Sequence, residues 1–135
     1  MLKQLNLVDL FKAIQTKVED KTGLKCLDFV KENEKAPFYF MELVRPTPAN
    51  TKTMYIVNYE VWIHSIAEES NSSIPIFNML TNLDEALSED IELPEGFELV
   101  LQTNNGVQTL KTDETNEKHA VTSFTFKVCY GFMCK

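Results

Sequence analysis

Met54-Tyr-Ile-Val-Asn-Tyr-Glu-Val-Trp-Ile-His-Ser65 is the stretch that decides the fold. Tyr55, Val57, Tyr59, Val61 and Ile63 recur at every second position, and all are aromatic or β-branched. That period predicts a strand with one apolar face, because successive side chains leave a strand on opposite sides. The opposite face presents Asn58, Glu60, Trp62 and His64. A strand of this kind belongs in a sheet that is covered by other elements on one side.

Working upstream, Phe38 to Arg45 reads as a second strand, and Pro46-Thr47-Pro48-Ala49-Asn50 ends it. A polar, mobile loop is expected from Pro46 to about Thr53. Earlier still, Leu7, Leu10, Phe11, Ile14 and Val18 fall on one stripe of a 3.6-residue period, which predicts a helix over Leu7 to Thr22. Asn6 is placed to cap it, Asp9 suits its first turn, and Gly23 supplies a left-handed stop. A short strand over Lys25 to Val30 and a charged turn over Lys31 to Lys35 complete this half.

Downstream, Glu68 to Ser73 is a polar break, after which Ser73 caps a second helix with Pro75 in its first turn. Ile76, Leu80, Leu83 and Leu87 form its expected buried stripe, with Phe77 and Met79 on the shoulders. The helix runs into the acidic tract Ser88 to Glu92, and Pro94-Glu95-Gly96 starts a turn. Phe97 to Gln102 and Val107 to Thr112 then flank Thr103-Asn104-Asn105-Gly106, where Asn-Gly predicts a hairpin turn. Asp113 to Lys118 reads as an exposed loop. The last strand runs from His119 to about Tyr130, with Ala120, Thr122, Phe124, Phe126, Val128 and Tyr130 on one face. The order α-β-β-β-α-β-β-β predicts an α+β fold. Residues 1–135 then make a single domain, an antiparallel or mixed β-sheet with two helices packed on one face.

Charge is distributed unevenly along this scaffold. From Thr53 to Leu110 there are 58 residues with no Lys or Arg and ten carboxylates, so that window carries −10 and the flanks +3 of the total −7. A negative chain is a poor match for nucleic-acid phosphates, which are bound through clustered cations. It is an equally poor match for an anionic membrane surface. No apolar run approaches the ~20 residues needed to span a bilayer, and the first residues do not read as a signal peptide. Cys26, Cys129 and Cys134 show no C-x-x-C spacing, and the expectation is reduced thiols in a cytosolic setting.

Catalytic and metal-binding patterns are scarce. The sequence has no G-x-S-x-G, H-E-x-x-H, Walker or G-x-G-x-x-G motif. His64 and Glu60 share a strand face but stand about 13 Å apart at ~3.3 Å per residue, too far for a base and its orienting carboxylate. His64 is expected to be an edge or surface histidine. Asp84 to Glu98 holds seven carboxylates without the D-x-[DN]-x-[DN]-G spacing that wraps calcium, so no metal and no cofactor are expected. Trp62, on the polar strand face, either packs beneath a helix or loop on the second face or anchors a partner. The Pro46–Thr53 loop, with Thr47 and Asn50, and the Asn104–Gly106 turn, with Asn104 and Asn105, either connect elements or dock on a neighbour.

Pro37-Phe38-Tyr39-Phe40, the strand ending Val61-Trp62-Ile63-His64-Ser65, Leu93-Pro94-x-Gly96-Phe97 and His119-x-Val121-x-Ser123-Phe124 together resemble the tail terminator, or tail-completion, proteins of tailed phages. The likeness covers about Leu7 to Val128 as an order of elements with short, loose motifs. It implies a non-catalytic structural protein without a cofactor, located in the virion tail and in the host cytoplasm during assembly. Copies would form a ring, commonly a hexamer, that caps the tail tube, stops its polymerisation and joins it to the head–tail connector protein. In a ring each subunit presents two different complementary faces. Glu89, Asp90, Glu92 and Glu95 would then meet lysines such as Lys12, Lys17, Lys21 and Lys25 of the next subunit, or else face the lumen and repel DNA. Two other readings compete. A small acidic inhibitor or immunity-type protein would act as a monomer on a basic target, and an enzyme would need Glu60, His64 or His119 to converge in a pocket.

Overall fold

The computed structural model describes residues 2–30, 34–112 and 117–133. Its elements are α1 (Leu7–Thr22), β1 (Cys26–Leu27), β2 (Phe38–Pro48), β3 (Met54–Ile66), α2 (Ile74–Ala86), β4 (Glu98–Thr112) and β5 (Lys118–Phe132). The strands form one mixed sheet in the order β1-β2-β3-β5-β4, parallel at β1–β2 and antiparallel elsewhere. The architecture is the α+β arrangement that the periodicities predict. Parts of the turn at Lys31–Lys35 and of the loop at Asp113–Lys118, and Cys134, lie outside the described residues.

The apolar face of β3 behaves as its alternation requires. Val57, Tyr59, Val61 and Ile63 are buried, as are Ala120, Phe124, Phe126 and Val128 across from them on β5. Leu10, Ile14 and Val18 of α1 and Ile76, Met79, Leu83 and Ala86 of α2 close over this face. Each fully buried aliphatic or aromatic side chain contributes roughly 1.5–3 kcal/mol. The Tyr39 hydroxyl donates to the Met79 carbonyl at 2.8 Å, tying β2 to α2 through the core. Burial, and next the neighbouring Cys26 thiol, push the Tyr39 phenol above its usual range.

The helix ends differ in how closely they follow the sequence reading. Asn6 Oδ1 accepts from the Val8 N–H at 2.9 Å, and Gly23 stops α1 with φ +75°. At α2, Ser73 occupies the cap position without a side-chain bond, and Ser72 Oγ takes the Ile74 N–H instead at 3.1 Å. Met79, placed beforehand on the shoulder of α2, is in its buried stripe, and Leu80 is only partly buried.

Three strand predictions are corrected. Asn104-Asn105-Gly106 is not a hairpin turn: β4 runs unbroken through it, so there are five strands and not six. The register shift between Asn104 and Gly106 marks a bulge, with Gly106 at φ +100°. The left-handed freedom that signals a turn serves a bulge equally well. β2 continues to Pro48, because β1 pairs only with Tyr39 and Phe40 and leaves Pro46 and Pro48 on an outer edge, where a missing N–H costs nothing. Finally, the Pro46–Thr53 loop is a hydrogen-bonded hairpin end. Thr51 N–H donates to the Met54 carbonyl at 2.9 Å, and Asn50 Oδ1 accepts from the Ile56 N–H at 2.8 Å.

Candidate functional site

The acidic segment that follows α2 is a shaped surface. Its apolar residues turn inward, Ile91 being buried and Leu93 packed against the core, while Glu89, Asp90, Glu92 and Glu95 stay exposed. One amide holds it to the sheet. Gln102 of β4 donates from Nε2 to the Leu87 and Glu89 carbonyls at 2.7 and 2.8 Å, and its Oε1 accepts from the Ile91 N–H at 3.1 Å. A second tie comes from α1, where Lys21 Nζ lies 2.9 Å from Glu89 Oε2.

The charges that are segregated in the sequence therefore meet partly within one chain. A cleft of ≈ 540 Å³ between α1 and this segment is lined by Asp9, Lys12, Lys17, Asp20, Glu92 and Pro94, among others. The hydrogen bond from Lys21, and next its charge, hold the Glu89 carboxyl below its usual range, and Glu89 raises Lys21 in turn. The Glu89 contribution is present above the ordinary carboxylate range and is lost as pH falls through the lowered value. The Lys21 contribution is present below the ordinary lysine range and is lost as pH rises through the raised value. Replacing Lys21 by Gln should move the Glu89 titration back up toward the usual carboxylate range, measured by carboxyl-detected NMR. Because both side chains are largely exposed, high salt should reduce the difference. Asp90, Glu92 and Glu95 make no ion pair among the described residues.

The face of the sheet away from the helices carries a second cluster. Trp62 is partly buried there and donates from Nε1 to Glu60 Oε2 at 3.1 Å, so its neighbours are strand side chains and not a covering helix. Glu60 also accepts from Ser123 Oγ and from Arg45 Nε, both at 3.3 Å. His64 Nε2 lies 2.7 Å from Glu42 Oε1, and His64 Nδ1 lies 2.7 Å from His119 Nε2. Both contacts are satisfied with neutral rings when His64 carries its proton on Nε2 and His119 carries one on Nε2. Glu60 is thus apart from His64, as the spacing demands. The partners of His64 come from neighbouring strands, β2 and β5, which spacing along one strand cannot reveal. Both ring nitrogens of His64 are occupied within the sheet.

Of the remaining candidates, Asn50, Asn104 and Asn105 bond within the chain. Asn50 orders the hairpin end, and Thr47 stands opposite Asn58. Asn104 bonds Asp84 Oδ1 at 2.7 Å, while Asn105 Nδ2 donates to Ser123 Oγ and Thr125 Oγ1 across the bulge. Lys17 lies in the cleft beside Glu92. Burial, and next the Glu19 carboxylate, push the Cys26 thiol up to about 12, which makes it unreactive. Among the described residues no group of three or more His, Cys, Asp or Glu is arranged to hold a metal ion, and no helix is long and apolar enough to cross a membrane. Gln102 is the residue that sequence reasoning missed, since nothing in its neighbourhood marks a strand glutamine as a clamp.

Comparison with known proteins adds the family. No curated protein matches the chain. In structure the fold is similar to a chain of the "Virion of native gene transfer agent (GTA) particle", with a TM-score of 0.68 and 16% identity, over 91% of this chain and 96% of that one. At that identity the likeness is one of fold. A family model described as "Putative tail termination protein" matches residues 1–135. The chain belongs to this phage tail terminator family.

Proposed function

We propose that the protein is a structural component of a phage tail that acts as its terminator. Copies form a ring, a hexamer in the reading the resemblance implies, which caps the tail tube, halts its growth and joins it to the head–tail connector. The observation that carries this reading, beside family membership, is the preformed acidic surface. Glu89 is already paired with Lys21 in its own chain, whereas Asp90, Glu92 and Glu95 project from a segment clamped by Gln102. A preordered anionic surface whose Asp90, Glu92 and Glu95 make no ion pair among the described residues suits an assembly contact, since little ordering is required when a cationic neighbour docks.

The test replaces Asp90, Glu92 and Glu95 by their amides and follows ring mass by native mass spectrometry at several salt concentrations. The wild-type ring should be the more salt-sensitive, and the variant should assemble more weakly. Addition of wild-type protein to growing tail tubes should produce capped ends of fixed length in electron micrographs. Tubes that keep elongating with the protein in excess would sink the terminator role, and a strict monomer bound to a single basic target would replace it with the inhibitor reading.

A further inference from the structure

The two edges of the sheet end in different shapes, and both carry apolar side chains in water. At the first edge β1 covers β2 only at Tyr39 and Phe40, so β2 beyond them has no strand on its outer side. Leu7, Val8 and Phe11 of α1, with Met41, Lys12 and Asp28 among their neighbours, line a groove of ≈ 280 Å³ there. Leu7 and Val8 are 43% and 59% exposed.

At the opposite edge β4 is paired only with β5. Val107 stands opposite Thr122 and Leu110 opposite Ala120, and both of those partners are buried on the helix side. Val107 and Leu110 therefore project on that side. Phe77 lies two turns before Asp84 on the same side of α2. Asp84 in turn holds Asn104 of β4, so Phe77 extends the same margin. Phe77, Val107 and Leu110 are 51%, 50% and 51% exposed. One edge is thus a groove and the other a ridge, and from β2 to β4 they are separated by three strand spacings, roughly 14 Å.

Shape and charge select how two copies can meet. Groove against groove leaves a void. Ridge against ridge would align β4 with its own copy, but three register shifts interrupt that strand, and Asn104 Oδ1 and Gln108 Nε2 already occupy the Gly106 N–H and carbonyl. Bulges of this kind blunt an edge against strand pairing. Ridge into groove has neither defect. The groove carries Lys12, and the ridge is bordered by Asp84, so the ridge offers an acid to a base in the groove.

We propose that the Phe77–Val107–Leu110 ridge of one copy docks in the Leu7–Val8–Phe11 groove of the next. This contact is head-to-tail and heterologous, and it closes into a ring when the rotation between copies allows. It rests on the ring reading above and gives that ring its subunit interface.

Two substitutions are compatible with folding. Val8 is in the first turn of α1, where the macrodipole favours Glu, and Leu110 is half exposed on an edge strand that tolerates charge. Val8→Glu and Leu110→Glu should keep the wild-type melting temperature. In sedimentation velocity each should weaken the concentration-dependent association of the wild type by at least about tenfold. Mixed in equal amounts they should give a 1:1 dimer and nothing larger, because one variant retains an intact ridge and the other an intact groove. A mixture that stays monomeric while the wild type associates overturns the proposal, as does a wild type that stays monomeric up to millimolar concentration. Capping of tail tubes is read separately. A mixed dimer together with uncapped tubes leaves this interface standing and removes the terminator role, and capped tubes without a mixed dimer do the reverse.

Discussion

Replacing Phe126 by Ala should destabilise the protein by roughly 3–5 kcal/mol, the usual cost of emptying a buried aromatic site. Phe126 is fully buried on β5, with Tyr59 of β3 and Gln102 of β4 as its cross-strand partners. Its ring stacks against Phe124 with centroids 6.4 Å apart. Strand β5 is flanked on both sides, so its backbone cannot move inward to fill the void, and the helices above it are held by their own contacts with the same core. Against a typical domain stability of about 5–15 kcal/mol this is a large fraction. Thermal unfolding should show the midpoint falling by roughly 10–20 °C. Phe132→Ser, on the same strand but 61% exposed, should change stability by less than about 0.5 kcal/mol. Similar losses at the two positions would mean that the register of β5 is wrong, because a one-residue slip exchanges its buried and exposed faces.

What the sequence made legible was local periodicity. The alternation in β3 and β5 and the stripe on α1 gave the covered face of the sheet, and Asn6 and Gly23 gave both ends of α1. Contacts between elements were not legible in the same way. Spacing along one strand correctly separated His64 from Glu60, but it could not bring in Glu42 or His119, whose approach depends on the pairing of β2 and β5 with β3. Asn105-Gly106 misled because a positive φ fits both a turn and a bulge, and only the long partner strand β5 decides between them. The charge split misled more subtly. It is real along the chain, yet folding places Lys21 against Glu89, so part of the expected contact between subunits is already made within one. Asp90, Glu92 and Glu95 keep no ion pair among the described residues, and the apolar side chains at the sheet edges are not visible in composition at all.

Replacing Gln102 by Glu should have the largest effect on that acidic surface. The amide has two donor hydrogens and one acceptor oxygen, and all three contacts are used on Leu87, Glu89 and Ile91. A carboxylate accepts only, so the Leu87 and Glu89 carbonyls lose their donor and face a negative oxygen instead. The new charge also lies beside the C-terminal end of α2, where the macrodipole disfavours an anion, and among Glu89, Asp90 and Glu92. Together these should cost roughly 2–3 kcal/mol, less than a fully buried network because the Glu89 carbonyl contact is exposed. Hydrogen exchange at residues 88–91 should accelerate more than exchange in the β3–β5 ladder, since Ile91 and Leu93 are the only apolar anchors the segment retains. Gln102→Met, which keeps the shape without the charge, should fall between wild type and Gln102→Glu. If exchange at 88–91 stays at the wild-type rate in both variants, the segment is held by its apolar anchors and the Lys21–Glu89 pair, and the clamp is incidental. If exchange accelerates while ring assembly is unchanged, the ordered acidic surface is not what subunits or tube recognise, and the ridge and groove at the sheet edges would have to carry assembly by themselves.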